Sequence, residues 1–184
     1  MKAVVALLLQ LCCCPGAAAA SVERKSADEA AMVAAYLFNF GRFVHWPDSA
    51  FASADAPLQF CLYGETQLDD HLDSLRGKRI RRRTVAVQRL QRGDATTHCH
   101  LLFISASERL YLSPLLRAQR GLPVLTVSEI EDFASDGGVI GLLSDNRRLA
   151  FEINTGSAAD ARLSVSSQLL KLAKRVLENR EGER

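Results

Sequence analysis

The chain has neither a Gly-x-Gly-x-x-Gly segment nor a phosphate-loop pattern, so no glycine-rich nucleotide cradle is expected. It also lacks Gly-x-Ser-x-Gly, which removes the strand-to-helix elbow that presents a hydrolase serine. No nucleophile stands beside a base, and most serines fall in turns or at helix starts. We therefore expect no enzyme activity, no catalytic residue and no cofactor. A formal charge of +2 is too near neutral to point to nucleic acid or to a membrane surface. Tryptophan occurs once, and three of the five cysteines crowd into the first fourteen residues.

Those early cysteines belong to a segment with its own logic. Lys2 precedes an uncharged apolar run over residues 3–14, followed by Pro15, Gly16 and four alanines. A charged start, a short apolar stretch and an Ala-x-Ala ending describe a secretory signal peptide. The run is well short of the ~20 residues needed to span a bilayer. We expect residues 1–20 to be the signal and 21–184 to form a single domain. Leu9-Gln10-Leu11 before Cys12 and Leu11-Cys12-Cys13 before Cys14 lack the small residues of a lipid-attachment site, so no lipoprotein anchor is expected. Cleavage would leave only Cys61 and Cys99. In an oxidising compartment two cysteines read as one disulfide, the alternative being two separate buried thiols.

Periodicity gives the elements. Over 26–44, Val33, Tyr36, Leu37, Phe40 and Val44 form one helical stripe, and Trp46-Pro47 stops it. Strands are expected at 58–63, 84–90, 100–105, 124–127, 139–143 and 149–153, the last joined to its predecessor by a short hairpin. Helices are expected at 66–75, 107–120, 128–134 and 158–179, with Pro114 kinking the second or delaying its start. Strands alternating with helices imply an α/β fold: a mostly parallel sheet of five to six strands, helices on both faces, last strand antiparallel.

Three clusters invite chemistry. His98 and His100 flank Cys99 at strand spacing, but two histidines fall short of a zinc site's ligand count, so no metal is expected. The run Lys78-Arg79-Ile80-Arg81-Arg82-Arg83 reads as charge on a surface or edge strand, with an anionic envelope component as the other reading, and no nucleic acid is expected. For the cysteines, a 2-1-3 strand order makes 58–63 and 100–105 neighbours. With level ends Cys61 would face Leu102, leaving Cys99 near 10 Å away at ~3.3 Å per residue. That exceeds the ~7 Å limit for a bridge. Either the strands are staggered or Cys99 precedes its strand.

The richest stretch is 35–47, which holds three of the chain's eight Phe and its only Trp. Met32, Phe38 and Phe43 lie off the core stripe and are the candidate partner or dimer contacts. Tyr36-Leu37-Phe38-Asn39-Phe40 and Phe43-Val44-His45-Trp46-Pro47, with Phe60-Cys61-Leu62-Tyr63-Gly64, Cys99 to Ser105, Leu125-Thr126-Val127-Ser128, Phe151-Glu152-Ile153-Asn154 and Ser166 to Ala173, resemble the YfiR-like family of periplasmic proteins. The resemblance implies a periplasmic, non-enzymatic α/β domain that often forms homodimers and uses disulfides to hold its active fold. Its best-known member represses an inner-membrane diguanylate cyclase, restraining cyclic di-GMP and biofilm formation. Other relatives accompany different membrane sensor proteins. Cys61 and Cys99 match one family bridge, and no cysteine follows Cys99 to make a second. The alternative function is a periplasmic module binding a small molecule or envelope component.

Overall fold

The computed structural model describes residues 16–145 and 148–178. The expected signal cleavage lies just beyond residues 1–15, which fall outside this range. Helix α1 (Gly16–Phe43) is the longest element and leads directly into β1 (Val44–His45). Its stripe does what its spacing requires. Val33, Leu37, Phe40 and Val44 are buried, while Tyr36 reaches past the core and donates its hydroxyl hydrogen to the Leu149 carbonyl at 2.9 Å. Gly41 lets the helix sit close to the sheet: a Cβ there would lie 2.8 Å from Ile80 Cδ1 and 2.9 Å from Phe60 Cζ.

The remaining elements, in chain order, are β2 (Leu58–Tyr63), α2 (Asp69–Asp73), β3 (Arg79–Ile80), β4 (Arg83–Leu90), β5 (Leu101–Ile104), α3 (Leu112–Gln119), β6 (Leu125–Ser128), β7 (Ile140–Asp145), β8 (Arg148–Asn154), α4 (Thr155–Asp160), β9 (Ser164–Val165), α5 (Ser167–Leu172) and β10 (Arg175–Leu177). Eight strands form one sheet in the order β10-β8-β7-β6-β5-β2-β4-β3, and β1 pairs with β9 in a second, two-stranded sheet. The large sheet is mixed. β3 runs antiparallel to β4 and β7 to β8, while the β2·β4, β2·β5, β5·β6, β6·β7 and β8·β10 contacts are parallel.

This corrects the expected sheet of five to six strands with its last strand antiparallel. The sheet has eight strands: the strand expected to be last, β8, does run antiparallel to β7, but β10 follows it and is parallel to β8. The additional strands escaped notice because β3 and β10 are two and three residues long, too short to display a period of two. The continuous helix expected over 158–179 is also corrected. Ser166 caps α5 by accepting from the Leu169 amide, but the chain is extended again at Ala173. There the Lys174 amide donates to the Phe151 carbonyl, and Arg175 pairs with Glu152 on β8. Glu152 is 1% exposed, and a buried carboxylate requires a partner. That requirement overrides helical periodicity.

The segment 128–134 is turns rather than a helix. The Ser128 hydroxyl donates to the Ile104 carbonyl and accepts from the Ile130 amide, and Asp132 adopts a left-handed φ of 59°. Residues 106–111 form a 3-10 segment, so α3 begins late and Pro114 falls harmlessly in its first turn.

Alternation along the strands divides the core in two. Phe60 and Leu62, Leu101 and Phe103, and Leu125 and Val127 point to the face covered by α1, α2, α4 and α5. Cys61 and Tyr63, with Leu102 and Ile104, point to the opposite face, closed by Leu112 and Leu116 of α3 and by Ile130 and Phe133.

Candidate functional site

The first candidate feature is the cysteine pair. β2 and β5 align with Cys61 opposite Leu102, the register that separates level strands from a bridge. Cys99 nevertheless reaches Cys61 because it precedes β5. A turn closed by the Cys99 amide and the Thr96 carbonyl (3.0 Å) folds the segment back, bringing the two Cα atoms to 5.9 Å with the sulfurs bonded. Both residues are buried on the α3 face.

His100, next to the bridge, organises the surface beyond it. Its Nδ1 accepts from the Gln59 amide at 3.0 Å, so the ring proton sits on Nε2 and is donated to the Ala50 carbonyl at 3.1 Å. Burial pushes the imidazole below its ordinary pKa. The Ala50 hydrogen bond opposes this, and the Arg83 and His98 charges add to it. Phe51 stacks on the ring at 4.4 Å, and the Arg83 guanidinium lies 3.4 Å from the centre of the Phe51 ring. Trp46 meets His100 edge-on and donates its indole N–H to the His100 carbonyl at 3.0 Å. The bridge thus fixes one end of a His100–Phe51–Arg83 stack and the anchor of the only tryptophan.

As a metal centre the His98-Cys99-His100 cluster does not assemble. Both ring nitrogens of His100 are engaged, and His98 Nε2 lies 2.9 Å from Gln88 Oε1. Cys61, His98 and Cys99 bring their ligand atoms within 4.8 Å of one another, but both sulfurs are committed to the disulfide.

Met32, Phe38 and Phe43 are not brought into one patch. Met32 is 43% exposed and borders a depression with Glu29, Glu129 and Leu149. Desolvation by its neighbours in this depression, then the Glu29 charge, raises the carboxyl of the otherwise exposed Glu129 above the ordinary carboxylate range. Phe38 is half-buried toward α2, in a groove with His71 and Leu75, and the Lys78 ammonium is 5.9 Å from its ring centre. Phe43 is half-buried beneath the Arg42 guanidinium. The sequence reading missed the exposed apolar residues Leu110 on the 106–111 segment, Leu172 at the end of α5 and Val176 on the edge strand β10. Val176 continues the helical spacing of α5 in sequence but is exposed, because the chain is extended from Ala173 onward.

The fold and its buried bridge define a small two-faced α/β domain with no helix, among the described residues, long and apolar enough to cross a membrane. The chain belongs to the YfiR/HmsC-like family, whose sequence pattern it matches over residues 30–174. Members are periplasmic, regulatory rather than enzymatic, and act with membrane signalling proteins in cyclic di-GMP control.

Proposed function

We propose that the protein is exported by cleavage of residues 1–20 and represses an inner-membrane diguanylate cyclase by direct contact in the periplasm. The family match over residues 30–174 carries this reading. The exposed Met32 on α1 supports it, with Phe38 and Phe43 half-buried at separate positions of the same helix. In this reading these residues meet the cyclase's periplasmic part or a second copy of the chain in a homodimer. The bridge keeps the presenting fold intact, and reduction or a competing ligand releases the partner. Some family members accompany other membrane sensors, and the same contact would serve there.

The test is affinity capture of the inner-membrane partner from solubilised membranes. Wild type should retain the cyclase, whereas Cys61→Ser/Cys99→Ser and Phe38→Asp should lose most of it. Equal recovery with the cysteine variant removes the redox element, and equal recovery with a folded Phe38→Asp removes Phe38 from the contact.

A further inference from the structure

A cleft of about 630 Å³ opens between the end of α1, the 48–54 segment and the β3–β4 hairpin. That volume is within the range of small-molecule sites. Trp46, Phe51, Leu58 and Ile80 give it an apolar wall, and Arg81, Arg82 and Arg83 give it charge.

The arginines are held in an unusual way. Ile80 pairs with Arg83 across the hairpin, so Arg81 and Arg82 are its two loop residues. Arg81 has φ of 54°, the left-handed region where glycine is at ease. Its guanidinium donates to the carbonyls of Val44 and Arg42, which fixes the side chain along the cleft. Arg83 donates to the carbonyls of Ser53 and Ala56 while covering Phe51. Carbonyls hold a guanidinium in place but do not cancel its charge. The Arg82 side chain is exposed and has no hydrogen-bond or ion-pair partner among the described residues.

Elsewhere several arginines are neutralised by carboxylates. Arg89 pairs with Asp69 and Asp73, Arg92 with Glu108 and Arg175 with Glu152. None of the three cleft arginines forms an ion pair with a carboxylate among the described residues, and Asp48 is the one acid lining the cleft. Guanidinium donors left unused, one face of charge and an aromatic wall together select an anion with an apolar body.

We propose that this cleft binds a small organic anion, a carboxylate or phosphate group carried on a flat apolar body. The group sits against Arg81, Arg82 and Arg83, and the body lies along Trp46 and the edge of Phe51, whose two faces are taken by His100 and Arg83. The site is separate from the exposed Met32 surface, so it stands whether or not the cyclase contact does.

Trp46 is the chain's only tryptophan, so its emission reports on the cleft alone. Phenyl phosphate should change that emission saturably, with calorimetry run in parallel to register a complex that is optically silent. Arg82→Glu, at a position without structural partners, should keep the unfolding midpoint and weaken binding by about tenfold or more. Benzyl alcohol should not bind measurably, and inorganic phosphate should bind more weakly than phenyl phosphate. Four results would overturn the proposal: no binding by either method, unchanged affinity in Arg82→Glu, equal affinity for inorganic phosphate, or uptake onto phosphatidylglycerol vesicles that phenyl phosphate does not compete away. The last would mark a lipid-facing surface instead.

Discussion

The two faces of the sheet are secured by different means. The α1 face is a wide apolar cluster in which Phe40 meets Tyr36 and Phe151 edge-on at 5.8 and 5.2 Å, with Phe60 and Phe103 buried in the same cluster. The α3 face is narrower and includes fewer buried side chains. Toward β6, β7 and β8 its strand positions turn polar: Thr126 accepts from the Val139 amide, and Asn154 donates to the Ala134 carbonyl. The disulfide is on this second face. Packing area stabilises one side, and a covalent tie with exact hydrogen bonding secures the other.

The comparison is sharpened first by emptying the thick face. Phe40→Ala should cost about 3–5 kcal/mol, read from denaturant unfolding, because a large fully buried ring is lost and a cavity remains. Removing the tie comes next. Cys61→Ser/Cys99→Ser should cost about 2–4 kcal/mol, as expected for a bridge of sequence separation 38. In the same variant, hydrogen exchange should accelerate at residues 98–104 while the Phe40 region of α1 stays protected. Uniform acceleration would mean that the faces are not separable.

His100→Ala should cost about 1–3 kcal/mol by orphaning the Gln59 amide and the Ala50 carbonyl. His100 also gives a pH signature. Its folded pKa is depressed, so the folded state binds fewer protons than the unfolded state near the ordinary value of 6.5. The stabilising contribution is present above that value and is lost as pH falls from there toward the depressed folded value. His100→Gln should flatten this part of the stability profile. The smallest effect should come from Met32→Asp, within about 0.5 kcal/mol for folding because the side chain faces solvent. Loss of the membrane partner in that variant would place Met32 in the contact without disturbing either face.

Much of the thick face was legible from sequence. The stripe on α1 and the apolar runs of β2 and β5 specify burial through their own periods, and β2 spans Leu58–Tyr63 as expected. The cysteine problem was also legible, because Cys61 opposite Leu102 forced Cys99 out of its strand or the strands out of step. The short terminal strands were hidden. Arg175 leaves the helical pattern because Glu152, 23 residues earlier, is buried and needs it. The cleft was hidden for a different reason. Its basic run looks like ordinary surface charge until Phe51 and Trp46, drawn in by His100, are placed against it. No local period links residues 46, 51, 83 and 100.

The regulatory account is tested most directly by cyclic di-GMP itself. Its level would be measured in the native host with the protein removed, and again with wild type restored to the periplasm. The account predicts a rise on removal and a return to the lower level on restoration. An unchanged level in both strains, with the restored protein folded and exported, would contradict it.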